Sequence, residues 1–475
     1  MDAAGEDRLS ALPEDVLVKI LLFLNTPDAV KTGLLSTRLY RAWQLVPEIR
    51  MPFFPDPRNA LRFRDALAAH EVALRRLHVG HGDADPASLA VWLPTAAARV
   101  TGSFSLRSVG DAPPRYAVRL PCFEGATSIC VVGFLRLVLP PAGVFARLTD
   151  LVLERIHFHG RSSSAALSDA VSSRRCPSLR RLEVSETVGL TRLAIRSDSL
   201  VEVDLEELVG LRDLTVDAPE LKELRVASCF GHTNGDPVLT IRAPELVLLI
   251  WDDMSSQENV NFLVRMPHIR SLGNLSFLVY ADHEAFAHNR ACLDLLKEYK
   301  VMESVTLTLT YLMDISAYQN LMEDMKVLPD ITILRLEVIS NGHVFGASSF
   351  HVLRMCTGIR KLALYFLDSF EAMVRSSCPS GCICNNQQSN WKTEEISLFR
   401  LQEIEIVEME GSDHEVSFVE RLFNWATALK NVTVIFHFSV NRIDAEKLCK
   451  KLQSFSRPGV CLDFRYINNK KVSCT

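Results

Sequence analysis

Cys378, Cys382 and Cys384, three thiols within seven residues, are the densest set of metal- and redox-competent side chains in the chain. Tetrahedral zinc takes four thiolate or imidazole ligands, and the usual C-x2–4-C pairing has no second copy here. The segment therefore reads as a loop of reduced thiols, with redox sensitivity as its open chemistry. His157 and His159 flank Phe158 on one strand face, which metals can use, but no third ligand accompanies them. His283-Glu284-Ala285-Phe286-Ala287-His288 resembles a zinc-protease helix, yet its histidines are five apart where one helical face requires four. No metal is assigned. A glycine-rich phosphate cradle, a nucleophile elbow and a kinase signature are all missing, and no carboxylate or serine constellation points to acid–base work. The expectation is a chain without catalytic residues or cofactor.

The elements that would position any site are bounded by composition. A length of 475 residues allows roughly two to four domains and a large core. With 48% hydrophobic and 23% charged residues the chain reads as globular, and its net charge of −5 lacks the basic excess of a phosphate-backbone binder. The longest apolar run, Ile129 to Leu139, has eleven residues and contains Arg136. That is too short for a membrane span, so neither nucleic acid nor membrane is expected as a partner. The N-terminus is acidic and lacks an apolar h-region, so no secretory signal is expected. Twelve cysteines stand mostly at apolar positions such as Cys130, Cys292 and Cys449. This usage fits reduced thiols in the cytoplasm or nucleus, where the sequons at Asn274 and Asn431 carry no glycan.

From residue 74 onward one pattern recurs, apolar-x-x-apolar-x-apolar. It starts at Leu74, Ala126, Leu148, Leu179, Leu190, Leu200, Leu211, Leu221, Leu246, Leu272, Met302, Ile331, Ile359, Leu401 and Leu429, with a weak copy at Thr101. Its last apolar positions alternate as a half-buried strand requires, and repeats of this length are the signature of a leucine-rich solenoid. Between Leu246 and Ile359 the steps are 26, 30, 29 and 28 residues, room for a strand and a helix, and 285–299, 317–327 and 350–355 look helical. Between Leu179 and Leu221 the steps are 10 or 11. A helix rises about 1.5 Å per residue, so so short a step cannot hold strand, helix and two turns. Each coil of about 21 residues there must carry two strands, one per face. The strands begun by Leu179, Leu200, Leu221 and Leu246 then form one sheet, with Leu190 and Leu211 behind it.

The first fifty residues are different. Val16, Leu17, Ile20, Leu21 and Leu24 form one apolar helical face over 14–24, entered through Pro13 and ended at Asn25. Thr26-Pro27 supplies a cap and first residue for a second helix with Ala29, Val30 and Leu34, and Ser36 can cap a third with Leu39, Tyr40 and Trp43. Three such helices carry more apolar surface than they can bury among themselves, which marks a docking module.

Asp7-Arg8-Leu9-Ser10-Ala11-Leu12-Pro13-Glu14-Asp15-Val16-Leu17 through Trp43-Gln44-Leu45-Val46-Pro47 resembles a plant F-box. Leu39 departs from it, standing where the family commonly has tryptophan. The resemblance implies that Leu12, Pro13, Ile20, Leu21, Leu24, Val30, Leu34, Leu35 and Trp43 contact the Skp-type linker subunit of a cullin-based ubiquitin ligase.

Toward the other end, 42 residues separate Ile359 from Leu401 and include Ser376 to Asn390, dense in Pro, Gly, Ser and Asn, an inserted loop. After it come strand 401–407, helix 413–426 with Asp413 as N-cap, strand 429–436, helix 445–452 and strand 460–464. Cys378-Pro379-Ser380-Gly381-Cys382, Trp391-Lys392, Glu403-Ile404-Glu405-Ile406 and Gly411-Ser412-Asp413-His414-Glu415-Val416 resemble the FBD region of plant F-box proteins.

The expected fold is an α/β repeat, a solenoid. An N-terminal three-helix F-box (1–50) and a connecting segment (51–73) precede a leucine-rich-repeat solenoid (74–370) and an FBD region (371–475) forming a β/α C-terminal cap. The resemblance implies a non-catalytic substrate-recognition adaptor of an SCF-type cullin-RING ubiquitin ligase, with linker, cullin and a target protein as partners. The alternative is a leucine-rich-repeat interaction scaffold with a weakened F-box, outside any ligase. Target contact falls to strand residues that face outward between buried leucines: Arg181, Glu183, Glu202, Asp204, Glu223, Arg225, Leu248 and Ile250. Their charges can pair across strands for about 0.2–1 kcal/mol each. Leu248 and Ile250, followed by Trp251, read as a contact patch or as residues under a loop.

Overall fold

The computed structural model describes residues 12–466 except 25, 34, 52–58, 82–85, 109–116, 159–160, 231–237, 253–267, 283–284, 314, 316–318, 368–381 and 387–390. The chain divides into two compact units, the first running to Leu246 and the second continuing from Val247.

The first unit opens with three short helices, α1 (Glu14–Leu22), α2 (Thr26–Gly33) and α3 (Thr37–Gln44). The Pro13 carbonyl accepts from the backbone N–H groups of Val16 and Leu17, each at 3.1 Å, so proline starts α1 as expected. Ser36 caps α3 by accepting from Leu39 N at 3.1 Å. Thr26 does something the sequence did not indicate. Its buried Oγ1 accepts from Arg50 N at 2.7 Å, tying α2 to β1 (Glu48–Met51) instead of capping the helix.

Strand β1 runs parallel to β2 (Leu74–His81), with α4 (Ala60–Ala69) between them. After α5 (Pro86–Arg99) the ladder continues in parallel through β3 (Val100–Ser108), β5 (Ser128–Val138) and β6 (Asp150–His157), while the short β4 (Ala117–Arg119) pairs with the end of β5. Register slips between Val132 and Leu135. Gly133 makes the slip at φ +123°, where a Cβ would lie 2.4 Å from the Ser108 carbonyl.

Past α6 (Arg161–Ala170) the coils shorten and the strands alternate between two sheets. β7 (Arg181–Ser185), β9 (Glu202–Glu206) and β11 (Glu223–Ala227) extend the main ladder. β8 (Arg192–Arg196), β10 (Asp213–Asp217) and β12 (Val238–Arg242) form a second parallel sheet. This is the arrangement that the 10- and 11-residue steps require; β12 was not among the pattern positions. Leu179, Leu190, Leu200, Leu211 and Leu221 are all fully buried. Glu186, Glu207 and Ser228, at φ 48°, 51° and 52°, each turn the chain out of the main ladder through a left-handed residue, 21 residues apart.

The second unit is another parallel ladder: β13 (Leu248–Asp252), β14 (Ser271–Leu278), β16 (Val301–Thr310), β18 (Asp330–Ile339), β19 (Lys361–Leu367), β20 (Glu403–Met409), β21 (Asn431–Phe436) and β22 (Cys461–Tyr466). Between its strands lie α7 (Ala285–Lys297), α8 (Leu321–Asp324), α9 (Gly346–Met355), α10 (Ile383–Asn386), α11 (Asp413–Trp425) and α12 (Arg442–Phe455). An antiparallel pair, β15 (Tyr280–Ala281) and β17 (Gln319–Asn320), completes it.

Two expectations are corrected here. The helix expected over 317–327 is only the four-residue α8, because the chain before it pairs with β15 and Leu321 N donates to Val279 O at 2.9 Å. Asn320 then caps what remains, accepting from Met322 N at 3.1 Å. Helix α11 is capped by Ser412, not Asp413. Ser412 Oγ accepts from Glu415 N at 3.3 Å and Glu415 Oε2 accepts from Ser412 N at 3.0 Å, a reciprocal box that leaves Asp413 as the first helical residue. Both units are α/β with parallel sheets.

Candidate functional site

The helices α1–α3 keep a set of apolar side chains in water. Leu35 is 78% exposed, Val30 41% and Leu24 37%; Pro13 is exposed, and Leu12 and Ile20 are half-buried. Leu21 and Trp43, expected on the same surface, are only 2% and 6% exposed. Trp43 packs edge-on to His70 with centroids 4.9 Å apart. These two support the patch from beneath. Leu34 lies outside the described residues. Phe23, 89% exposed, and Tyr40, 49% exposed, join the surface and were not anticipated. Phe23 sits just past α1, two positions beyond the buried Leu21, off the stripe that the helix turns inward. Leu39 is buried, so the position that departs from tryptophan faces the core.

On the main sheet of the first unit, parallel register brings the charged candidates together. Arg181 stands opposite Glu202, which stands opposite Glu223; Glu183 stands opposite Asp204, which stands opposite Arg225. Arg181 reaches Glu183 at 3.2 Å and Glu202 at 3.4 Å. Arg225 reaches Asp204 at 3.8 Å and Glu206, a residue the pattern did not single out, at 3.1 Å. Burial pushes the Asp204 carboxyl above the usual carboxylate range, against the pull of Arg225. These are half-exposed ladder pairs of modest strength. Like charges also meet, Glu202 with Glu223 and Glu183 with Asp204, so the face is net acidic.

Leu248 and Ile250 belong to β13 of the second unit and are half-buried. Ile250 lies over Gly273 of β14, where an added Cβ would come within 2.9 Å of its Cγ1. Trp251 is buried. Much of this apolar surface serves its own sheet.

The histidine candidates separate. His288 is buried and its Nε2 lies 2.8 Å from the Ser276 carbonyl, a hydrogen-bonded core histidine. His159 and His283 lie outside the described residues. The ten described cysteines range from buried to exposed. Burial raises Cys176, Cys292 and Cys356 to about 12, so they are inert as nucleophiles. Cys384 is buried and Cys382 half-buried; Cys378 is outside the described residues.

The motif residues toward the C-terminus form a structural knot. Trp391 packs against His414 and Phe418 with centroids 5.5 and 5.7 Å away. His414 Nε2 accepts from Gly346 N at 3.1 Å. Burial first, then the positive charge of Lys392, lowers His414 to about 4, so it is neutral and free to accept.

Comparison with known proteins matches two stretches of the chain. Residues 9–50 match the F-box domain, and residues 90–262 match the LRR repeats described for FBD-associated F-box protein At5g56370. The putative F-box/FBD/LRR-repeat protein At3g49030 of Arabidopsis thaliana is 29% identical over 287 residues, 57% of this chain and 63% of its own length. The putative FBD-associated F-box protein At5g56440 of the same plant is 28% identical over 274 residues, 55% of this chain and 58% of its own. The F-box/LRR-repeat protein At1g55660, also from Arabidopsis thaliana, is 22% identical over 283 residues, 56% and 76% of the two chains. The match spans less than two thirds of the first two relatives. The chain carries an F-box domain followed by FBD-associated leucine-rich repeats, and its relatives are plant F-box/FBD/LRR-repeat proteins.

Proposed function

We propose that this chain is the substrate-recognition adaptor of an SCF-type cullin-RING ubiquitin ligase. The observation that carries the reading is the coincidence of the F-box match over 9–50 with exposed Phe23, Leu24, Val30 and Leu35. Covering Phe23 and Leu35 with a partner removes apolar surface worth up to about 1.5–3 kcal/mol each from water, and the less exposed Leu24 and Val30 add less. The Skp-type linker subunit is the partner that would cover them, and the cullin would join through it. The repeats form a solenoid that holds a target protein, in the cytoplasm or nucleus. The charge-paired face around Arg181 and Arg225 supports a polar contact surface for that target. The adaptor contributes proximity, raising the effective concentration of target lysines near an activated ubiquitin thioester, with the chemistry done by other subunits.

The scaffold reading leaned on Leu39. Leu39 is buried, which supports reading that departure as a core position of little weight against linker binding. Co-purification of the full chain with the linker subunit tests the proposal. Wild type should retain the linker and a Leu12→Ala/Pro13→Ala variant should lose most of it. Failure of the folded wild type to bind any Skp-type linker would overturn it. If the linker binds but the lifetime of captured targets is the same with and without the chain, the scaffold reading takes its place.

A further inference from the structure

Three soft ligand atoms converge in the second unit, from segments about forty residues apart. Strand β18 ends at Ile339, and Asn341 and Gly342, at φ 46° and 80°, reverse the chain to deliver His343. His343 is 5% exposed. Its Nδ1 lies 3.5 Å from Cys382 Sγ and 3.5 Å from Cys384 Sγ, and all three atoms lie within 4.8 Å of one another.

The other ring nitrogen fixes the chemistry. His343 Nε2 faces the Met313 carbonyl at 3.3 Å, and a carbonyl can only accept, so Nε2 carries the proton. In the neutral ring Nδ1 is then the unprotonated nitrogen, with the two sulfurs beside it. A backbone carbonyl orienting a ligating imidazole from behind is the usual outer partner of a metal histidine. The surroundings hold the ring in place. Tyr311 stacks on it with centroids 5.9 Å apart and planes 22° apart, and Asn341 Nδ2 donates to the Tyr311 carbonyl at 2.7 Å. Tyr280 in turn packs against Tyr311, with ring centroids 6.0 Å apart.

We propose that Cys382, Cys384 and His343 bind a zinc ion. Tetrahedral zinc with sulfur at about 2.3 Å and nitrogen at about 2.05 Å sets a sulfur-to-nitrogen edge of about 3.6 Å, close to both observed separations. Two thiolates and a neutral imidazole balance a divalent cation and match its preference for nitrogen and sulfur. Binding breaks two S–H bonds, releases both protons to solvent and forms two Zn–S bonds and one Zn–N bond. A fourth position remains for water or another donor. The metal would fasten the 382–386 segment to the turn after β18, joining the two through one atom. The inference does not depend on the ligase reading.

The test uses the full chain. Purified protein, dialysed against metal-free buffer after exposure to zinc, should retain about one equivalent per chain by elemental analysis. Replacing zinc with cobalt should give a thiolate-to-cobalt charge-transfer band and the intense visible bands of a tetrahedral site. His343→Ala, Cys382→Ser and Cys384→Ser should each weaken retention by at least about tenfold, while Cys449→Ser, remote in sequence and buried, should not. Should those variants fail to fold, wild type still decides. Alkylation of half-buried Cys382 should be slow with zinc and faster after chelation. A folded wild type that holds no stoichiometric zinc, or whose cobalt form lacks the charge-transfer band, would leave two S–H···N hydrogen bonds and overturn the proposal.

Discussion

The hydroxyl of Thr26 accepts the backbone N–H of Arg50 at 2.7 Å, joining the second helix to the first strand of the parallel ladder. Both ends of this bond are withdrawn from solvent enough for its loss to matter. Thr26→Val keeps the shape and leaves the Arg50 donor unpaired, so it should cost about 1–3 kcal/mol, and Thr26→Ser should restore most of that. Urea denaturation of the first unit's helical signal measures it. Equal stability of the valine variant and wild type would remove the bond from the account.

Phe23 and Trp43 should respond in opposite ways. Phe23 is exposed, so Phe23→Ala should change stability by no more than about 0.5 kcal/mol and weaken linker affinity by about 10–100-fold if it is a central anchor. Trp43 is buried, so Trp43→Ala should cost about 3–5 kcal/mol of stability, and its loss of linker binding should follow from unfolding. Thermal denaturation and a linker titration on the same samples separate the two.

His414 makes the second unit sensitive to acid. Burial and Lys392 lower its pKa to about 4, below the ordinary 6.5, so between those values the unfolded chain binds a proton that the folded chain refuses. The stabilisation is complete above about pH 6.5 and shrinks as pH falls toward 4, by up to about 3 kcal/mol. His70, also lowered by burial, contributes with the same sign in the first unit. Denaturation midpoints between pH 7.5 and 4.5 should fall in wild type. His414→Phe should begin lower, because Gly346 N loses its acceptor, and should fall less steeply. An unchanged slope in that variant would remove His414 as the cause.

Gly346 leaves room for Trp391. A Cβ there would meet the indole at 2.6 Å, and an aromatic ring cannot bend away as a flexible chain end can. Gly346→Ala should cost about 1–3 kcal/mol and shift tryptophan emission as Trp391 is displaced. Emission at the wild-type wavelength with intact stability would show that the ring has another place to go.

The strand pattern was legible because a buried leucine opens each short coil step from Leu179 to Leu221, and the 10- and 11-residue steps left no room for helices. What escaped was nonlocal. The helix expected over 317–327 yielded to pairing with Tyr280 and Ala281, some forty residues earlier. Leu21 shares an apolar pattern with Leu24, and Trp43 with Tyr40, and only the packing of α1 and α3 decides which of each faces inward. Asp413 looked like a cap because capping residues crowd that turn, and Gly411 N and Ser412 N settle it by both donating to Glu415. His343 carried no local signal at all. It lies 39 residues before Cys382, and no spacing rule connects them.

The left-handed residues at 186, 207 and 228 recur on a beat of 21. Because strands alternate between two sheets within each beat, only a whole beat returns the chain to the sheet it left. Length variation in this stretch is therefore quantised. Loss or duplication of one full coil keeps every leucine inward and every turn in place, while half a coil delivers each later strand to the wrong wall. Related chains can differ here by whole coils, and the charge-paired face can lengthen without being redesigned.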